Sequence, residues 1–211
     1  MTTWSSRSLA PVAWRSKSLA ALAVVATLGG CAEGEGPASL LAGLAPPEDV
    51  VVPGVPLTQA MMMRGKVTLV PPGGYCIDPD SLTQNFALMG RCDVMGADTK
   101  NTGVPAGVMT VSIARSAKSA PLPNPAEIST ASGLGAAQDA RTGDASIVFK
   151  TTGPPPSADM SSTHWRGIAK LNRFTIGAAL YGPEGRRAVS GEGAGLIEDM
   201  LKRTAAKTNA S

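Results

Sequence analysis

The side chains able to do chemistry are few and widely spaced in this 211-residue chain. His164 is the sole imidazole, so any familiar triad in which a histidine activates Ser or Cys depends wholly on it. Ser161, Ser162 and Thr163 precede it, but no GxSxG elbow occurs, and a structural histidine is the expected role. Asp78 and Asp80 flank Pro79, which would suit Ca²⁺ or a paired-carboxylate hydrolase. No further calcium ligand follows at loop spacing, so turn and capping use is expected instead. Gly191-Glu192-Gly193-Ala194-Gly195 opens a helical pattern, and glycines at a helix N-terminus can cradle phosphate. It lacks the Lys-Ser/Thr and the G-x-G-x-x-G spacing, and Glu192 would repel an anion. Met61-Met62-Met63 has soft ligands for Cu(I), but adjacent side chains diverge on any regular backbone and no histidine is near. Packing is the expected role. No catalytic residue, metal site or cofactor is assigned from these patterns.

The elements around these residues begin with Leu19 to Cys31. Arg7, Arg15 and Lys17 precede an uncharged run, Leu19 to Gly30, which is too short to span a bilayer. A basic segment, an apolar run and then small residues is the secretory pattern. Leu28-Gly29-Gly30-Cys31 resembles the bacterial lipobox. The resemblance implies a signal peptide over 1–30, cleavage before Cys31, and acylation of the Cys31 thiol. Several acyl chains make a stable anchor where one is marginal. Ala32 stands where an aspartate would imply inner-membrane retention in many enterobacterial lipoproteins, so a periplasm-facing outer-membrane lipoprotein is expected.

Removing residues 1–30 takes three positive charges and no acid, so the net charge falls from +3 to zero. No basic block remains for a phosphate backbone, and a nucleic-acid partner is not expected. Arg186-Arg187 is only a pair, expected at a solvated loop edge. With Cys31 acylated, Cys76 and Cys92 remain as an even pair in an oxidising compartment. Both fall in short extended segments joined by a helical link, and a disulfide is expected. Zinc would want two more ligands, and the spacing is too long for CxxC redox chemistry.

Residues 31–60 are rich in Gly and Pro without a sustained period, as expected of a tether. Val50-Val51-Val52 could add a short edge strand. Residues 61–211 read as one domain. Lys66–Val70 alternates polar and apolar before Pro71-Pro72-Gly73-Gly74, a strand and a turn. Tyr75–Ile77, Asn85–Cys92, Gly107–Ala114 and Ser146–Lys150 are further strands, with Met109, Val111 and Ile113 on one face. Asp78 caps a helical start at Pro79, and Asn124 does the same for a helix over 125–134. His164–Leu171 and Phe174–Tyr181 form a hairpin about Asn172-Arg173. A last helix follows Ser190, with Ala194, Ile197, Met200, Leu201 and Ala205 on one side.

Runs of strands separated by helices predict an α+β domain: an antiparallel sheet covered by helices, the last of them C-terminal. The order of elements loosely resembles the PsbP/Mog1-type sandwich. The segments Pro72–Asp78 and Phe86–Cys92, with Trp165–Gly167, Tyr181–Pro183 and the last helix, resemble uncharacterised alphaproteobacterial envelope proteins. That group implies no activity. The function expected is a membrane-anchored, non-catalytic binding or assembly subunit with an envelope protein partner. The alternatives are an envelope hydrolase using carboxylates or His164, and a carrier of a small apolar ligand.

Overall fold

A computed structural model describes residues 54–97 and 103–210. The expected signal at 1–30, Cys31, the edge strand expected about Val51 and most of the expected tether lie outside the described residues. Nine strands occur among the described residues: β1 (Ala60–Met62), β2 (Val67–Leu69), β3 (Tyr75–Ile77), β4 (Phe86–Arg91), β5 (Val108–Arg115), β6 (Gln138–Thr142), β7 (Ser146–Thr152), β8 (Thr163–Leu171) and β9 (Phe174–Tyr181). Two helices accompany them, α1 (Pro125–Ala131) and α2 (Gly191–Asn209). Seven strands make one sheet in the order β3-β4-β5-β9-β8-β7-β6, with every neighbour antiparallel. β1 and β2 form a separate pair. This is an α+β fold with a C-terminal helix.

The two-residue period sorts the large sheet into faces. Met109, Val111 and Ile113 lie opposite Leu180, Ala178 and Ile176, and all six are buried. Across them lies α2, whose Ala194, Ile197, Met200 and Leu201 complete the core. Each fully buried Ile, Met or Leu contributes about 1.5–3 kcal/mol by area removed from water. Gly167 lets the helix come close, since a Cβ there would stand 2.3 Å from Ile197 Cγ2. Residues at the alternate positions, Arg166 and Ile168 among them, therefore face away from α2. On that second face sits α1, a seven-residue helix closed by a reciprocal Asn124–Glu127 capping box.

The β1–β2 pair reaches α2 through its backbone. Thr68 and Val70 donate their N–H groups to the hydroxyls of Thr208 and Thr204, at 3.0 and 3.1 Å. Helix side chains thus occupy hydrogen-bonding positions that a further strand would take. Tyr75 is buried and donates its phenol to the Pro105 carbonyl at 2.8 Å. Burial pushes its pKa up to about 12, against the opposing effect of Arg91.

Two elements depart from the sequence reading. The ordered domain begins before residue 61: Leu57 exchanges hydrogen bonds with Ile77, and Ala60 is buried in β1. The Pro/Gly composition hid this because a single bridge leaves no period. β6 was not expected, because Gln-Asp-Ala-Arg-Thr is wholly exposed and has no apolar alternation. It is a polar edge strand held by its register on β7 and by the Lys150–Asp139 pair.

Candidate functional site

A cleft of about 450 Å³ opens on the second face at the β3–β4–β5 end of the sheet. Leu88 and Val108 form its floor, Val94 and Met95 one wall, Met160 and Pro183 another. Each wall has a local cause. Cys76 on β3 is bonded to Cys92 at the end of β4, with a Cα–Cα distance of 4.9 Å. That bond and the Met95 N–H donation to the Arg91 carbonyl hold the turn carrying Val94 and Met95. Gly90 leaves room for it, since a Cβ there would sit 3.3 Å from Met95 Sδ. The opposite wall forms because Ser161 donates its N–H to the Gly182 carbonyl, placing Met160 beside Pro183. The floor is held by Leu88, which donates to Ser81 Oγ and accepts from the Asp78 N–H.

Three charged residues, Asp78, Asp80 and Arg91, also line this cleft. The Arg91 guanidinium is paired with Asp93. Asp78 caps the 3-10 turn at Pro79–Ser81, accepting from the Asp80 N–H. Val94 is 76% exposed, large for an apolar side chain lining a concavity. Such a surface excludes water from an apolar guest and does no bond chemistry by itself.

The residues singled out by type are placed as follows. Cys76 and Cys92 form the disulfide. Cys31 lies outside the described residues. His164 is fully buried on the second face. Its Nδ1 meets the Ser162 carbonyl at 3.0 Å, its Nε2 accepts from Arg166 Nε at 3.0 Å, and its ring stacks on Tyr181. Burial lowers its pKa, the Arg166 charge lowers it further, and the Ser162 carbonyl opposes both. The ring is therefore a neutral, spacing element with both nitrogens engaged. The nearby Ser161 hydroxyl does not meet it and donates to Glu184 instead.

Asp78 and Asp80 act locally at the turn. Met62 is buried, Met61 is exposed and Met63 turns away with φ 51°, so the three sulfurs diverge. Gly193 serves close packing: a Cβ there would fall 1.9 Å from the Ala188 carbonyl oxygen and 2.7 Å from Trp165. Arg187 is more than a solvated edge. It forks onto Glu192 and donates to the Gly103 carbonyl, tying a loop to the start of α2. Among the described residues no three His, Cys, Asp or Glu side chains converge as a metal group, and no helix is long and apolar enough to cross a membrane.

The sequence reading missed the cleft and the Arg166 network. One signal for the cleft was present: Val94-Met95, an apolar pair inside a loop of Gly, Asp and Thr. For Arg166 the signal was partial: its two-residue spacing from His164 puts both on one face of β8, but Tyr181 on β9 meets it only through register.

No family model and no curated protein matches the chain. A solved structure from Bacteroides thetaiotaomicron VPI-5482 is similar at 9% identity with a TM-score of 0.34. The alignment covers 69% of this chain and 46% of that one, so the chain spans less than half the length of that protein.

Proposed function

We propose that the protein is a lipid-anchored, periplasm-facing binding subunit of the bacterial outer membrane, attached through acylated Cys31, whose domain holds the apolar part of a small ligand in the cleft over Leu88 and Val108. The cleft carries this reading: it is concave, walled by Val94, Met95, Met160 and Pro183, and lined mostly by apolar residues. The lipobox-like Leu28-Gly29-Gly30-Cys31 supports the anchor, and a structural disulfide suits an oxidising compartment. The hydrolase alternative gains nothing from His164, whose ring nitrogens are engaged and whose neighbouring serine points to Glu184.

Two measurements test the two halves. Cys31→Ser should abolish palmitate labelling and detergent partitioning, and retention of both would refute the anchor. The neutral fluorophore N-phenyl-1-naphthylamine should bind the purified domain saturably, one per chain. Val94→Asp, at an exposed position, should weaken that binding about tenfold or more without lowering the melting temperature, given about 1.4 kcal/mol per decade of affinity. Absence of saturable binding to the unaltered protein would remove the ligand-binding reading.

A further inference from the structure

A second, smaller pocket of about 210 Å³ lies on the same face, between α1 and the centre of the sheet. Arg166 enters it from β8, Thr110 and Ser112 from β5, and Ser132 from the end of α1. Arg166 is half-buried, and its partners are both neutral. Nε donates to His164 Nε2 at 3.0 Å, and Nη2 donates to the Tyr181 hydroxyl at 3.3 Å. Among the described residues no carboxylate pairs with it. The two neutral acceptors fix the guanidinium plane and leave its charge uncompensated. The remaining N–H groups, on Nη1 and Nη2, are an end-on fork of the kind that receives a carboxylate. The hydroxyls of Thr110, Ser112 and Ser132 have no partner among the described residues.

This pocket adjoins the cleft by register. Leu88, on the cleft floor, lies directly opposite Thr110, Thr110 opposite Ala179, and Ala179 opposite Arg166. Those are three interstrand steps of about 4.8 Å on one sheet face. The small Ala179 keeps the surface between them low. Resting on the ligand-binding reading above, we propose that Arg166 is the head-group anchor for an amphiphilic carboxylate whose apolar tail lies in the cleft. A single guanidinium flanked by Ile128 and Ile168 suits one negative charge. A phosphate dianion would call for more cationic groups than the pocket holds.

The test compares decanoate with decan-1-ol, below their micellar and solubility limits, by displacement of N-phenyl-1-naphthylamine from the full domain. Decanoate should bind about tenfold more tightly than decanol, the order expected of one charge-assisted fork. Arg166→Met should abolish that preference and leave decanol affinity unchanged. Arg166→Met also leaves His164 Nε2 without its donor, so Ser112→Ala, at an exposed position, supplies a second variant. It should weaken decanoate a few-fold and spare decanol. Equal affinity of the two probes for the unaltered protein overturns the head-group proposal and leaves the apolar cleft standing. Failure of both probes, with the fluorophore itself unbound, overturns the proposal and the ligand-binding reading together.

Discussion

The backbone N–H of Val70 donates to the Thr204 hydroxyl at 3.1 Å, although 134 residues separate them. Thr68 makes the same contact with Thr208 one turn further along α2. The small β1–β2 pair is therefore held to the domain through hydroxyls on a helix, and Thr204 is fully buried. Thr204→Val keeps the volume but leaves the Val70 N–H unsatisfied. It should cost about 1–3 kcal/mol, the penalty for an orphaned buried donor. Thr204→Ser should recover most of that. Urea denaturation of the three proteins measures the difference.

Two glycines in the first turns of α2 should respond with opposite signs. Gly193→Ala places a methyl group on the Ala188 carbonyl, which is backbone and cannot rotate away. Overpacking of this kind costs about 1–3 kcal/mol or more. At Gly195 a Cβ meets nothing within 4 Å, and its φ is not positive. Gly195→Ala should therefore stabilise by about 0.5–1 kcal/mol through helix propensity. Thermal denaturation of both variants gives the comparison.

The Cys76–Cys92 bond closes a loop with a sequence separation of 16. On the chain-entropy account a loop of that size is worth about 3 kcal/mol. The Cys76→Ala/Cys92→Ala double variant should lose that stability. Reductant should lower the midpoint of the unaltered protein and leave the double variant unmoved. Because the bond also holds the turn bearing Val94 and Met95, fluorophore binding should weaken in the double variant.

His164 couples stability to pH. Burial holds its folded pKa below the ordinary 6.5, so on acidification the unfolded chain takes up the proton first. Its contribution is fully present above pH 6.5 and is lost as pH falls from there toward the folded pKa. The melting temperature should thus decline between pH 7.5 and pH 5, a range above the ordinary carboxylate pKa values. His164→Gln should flatten that decline, whatever its effect at pH 7.5. An unchanged slope in the variant would assign the pH dependence to another group.

Much of the architecture was legible because it is written in short-range patterns. The β8–β9 hairpin turns at Asn172, whose φ of 55° is one that asparagine accepts. Asn124, Asp78 and Ser190 each accept the capping bond expected of them. Met109, Val111 and Ile113 share the buried face. β6 escaped notice because an exposed edge strand carries no apolar period, and Leu57 because its pairing is a single bridge.

The sequence by itself determined the antiparallel α+β class, the helix caps and the β8–β9 hairpin. Each depends on residue type within a few positions. Only the tertiary structure decided what His164, Arg166 and the glycines of α2 do. His164 becomes a neutral acceptor because β8 and β9 bring Arg166 and Tyr181 to its ring, and Gly193 is needed because α2 lands on Ala188. The cleft has the same origin, with walls contributed by Val94, Met160 and Pro183 from distant loops. Local periodicity states which face a residue occupies, but strand register and helix placement decide what it meets there.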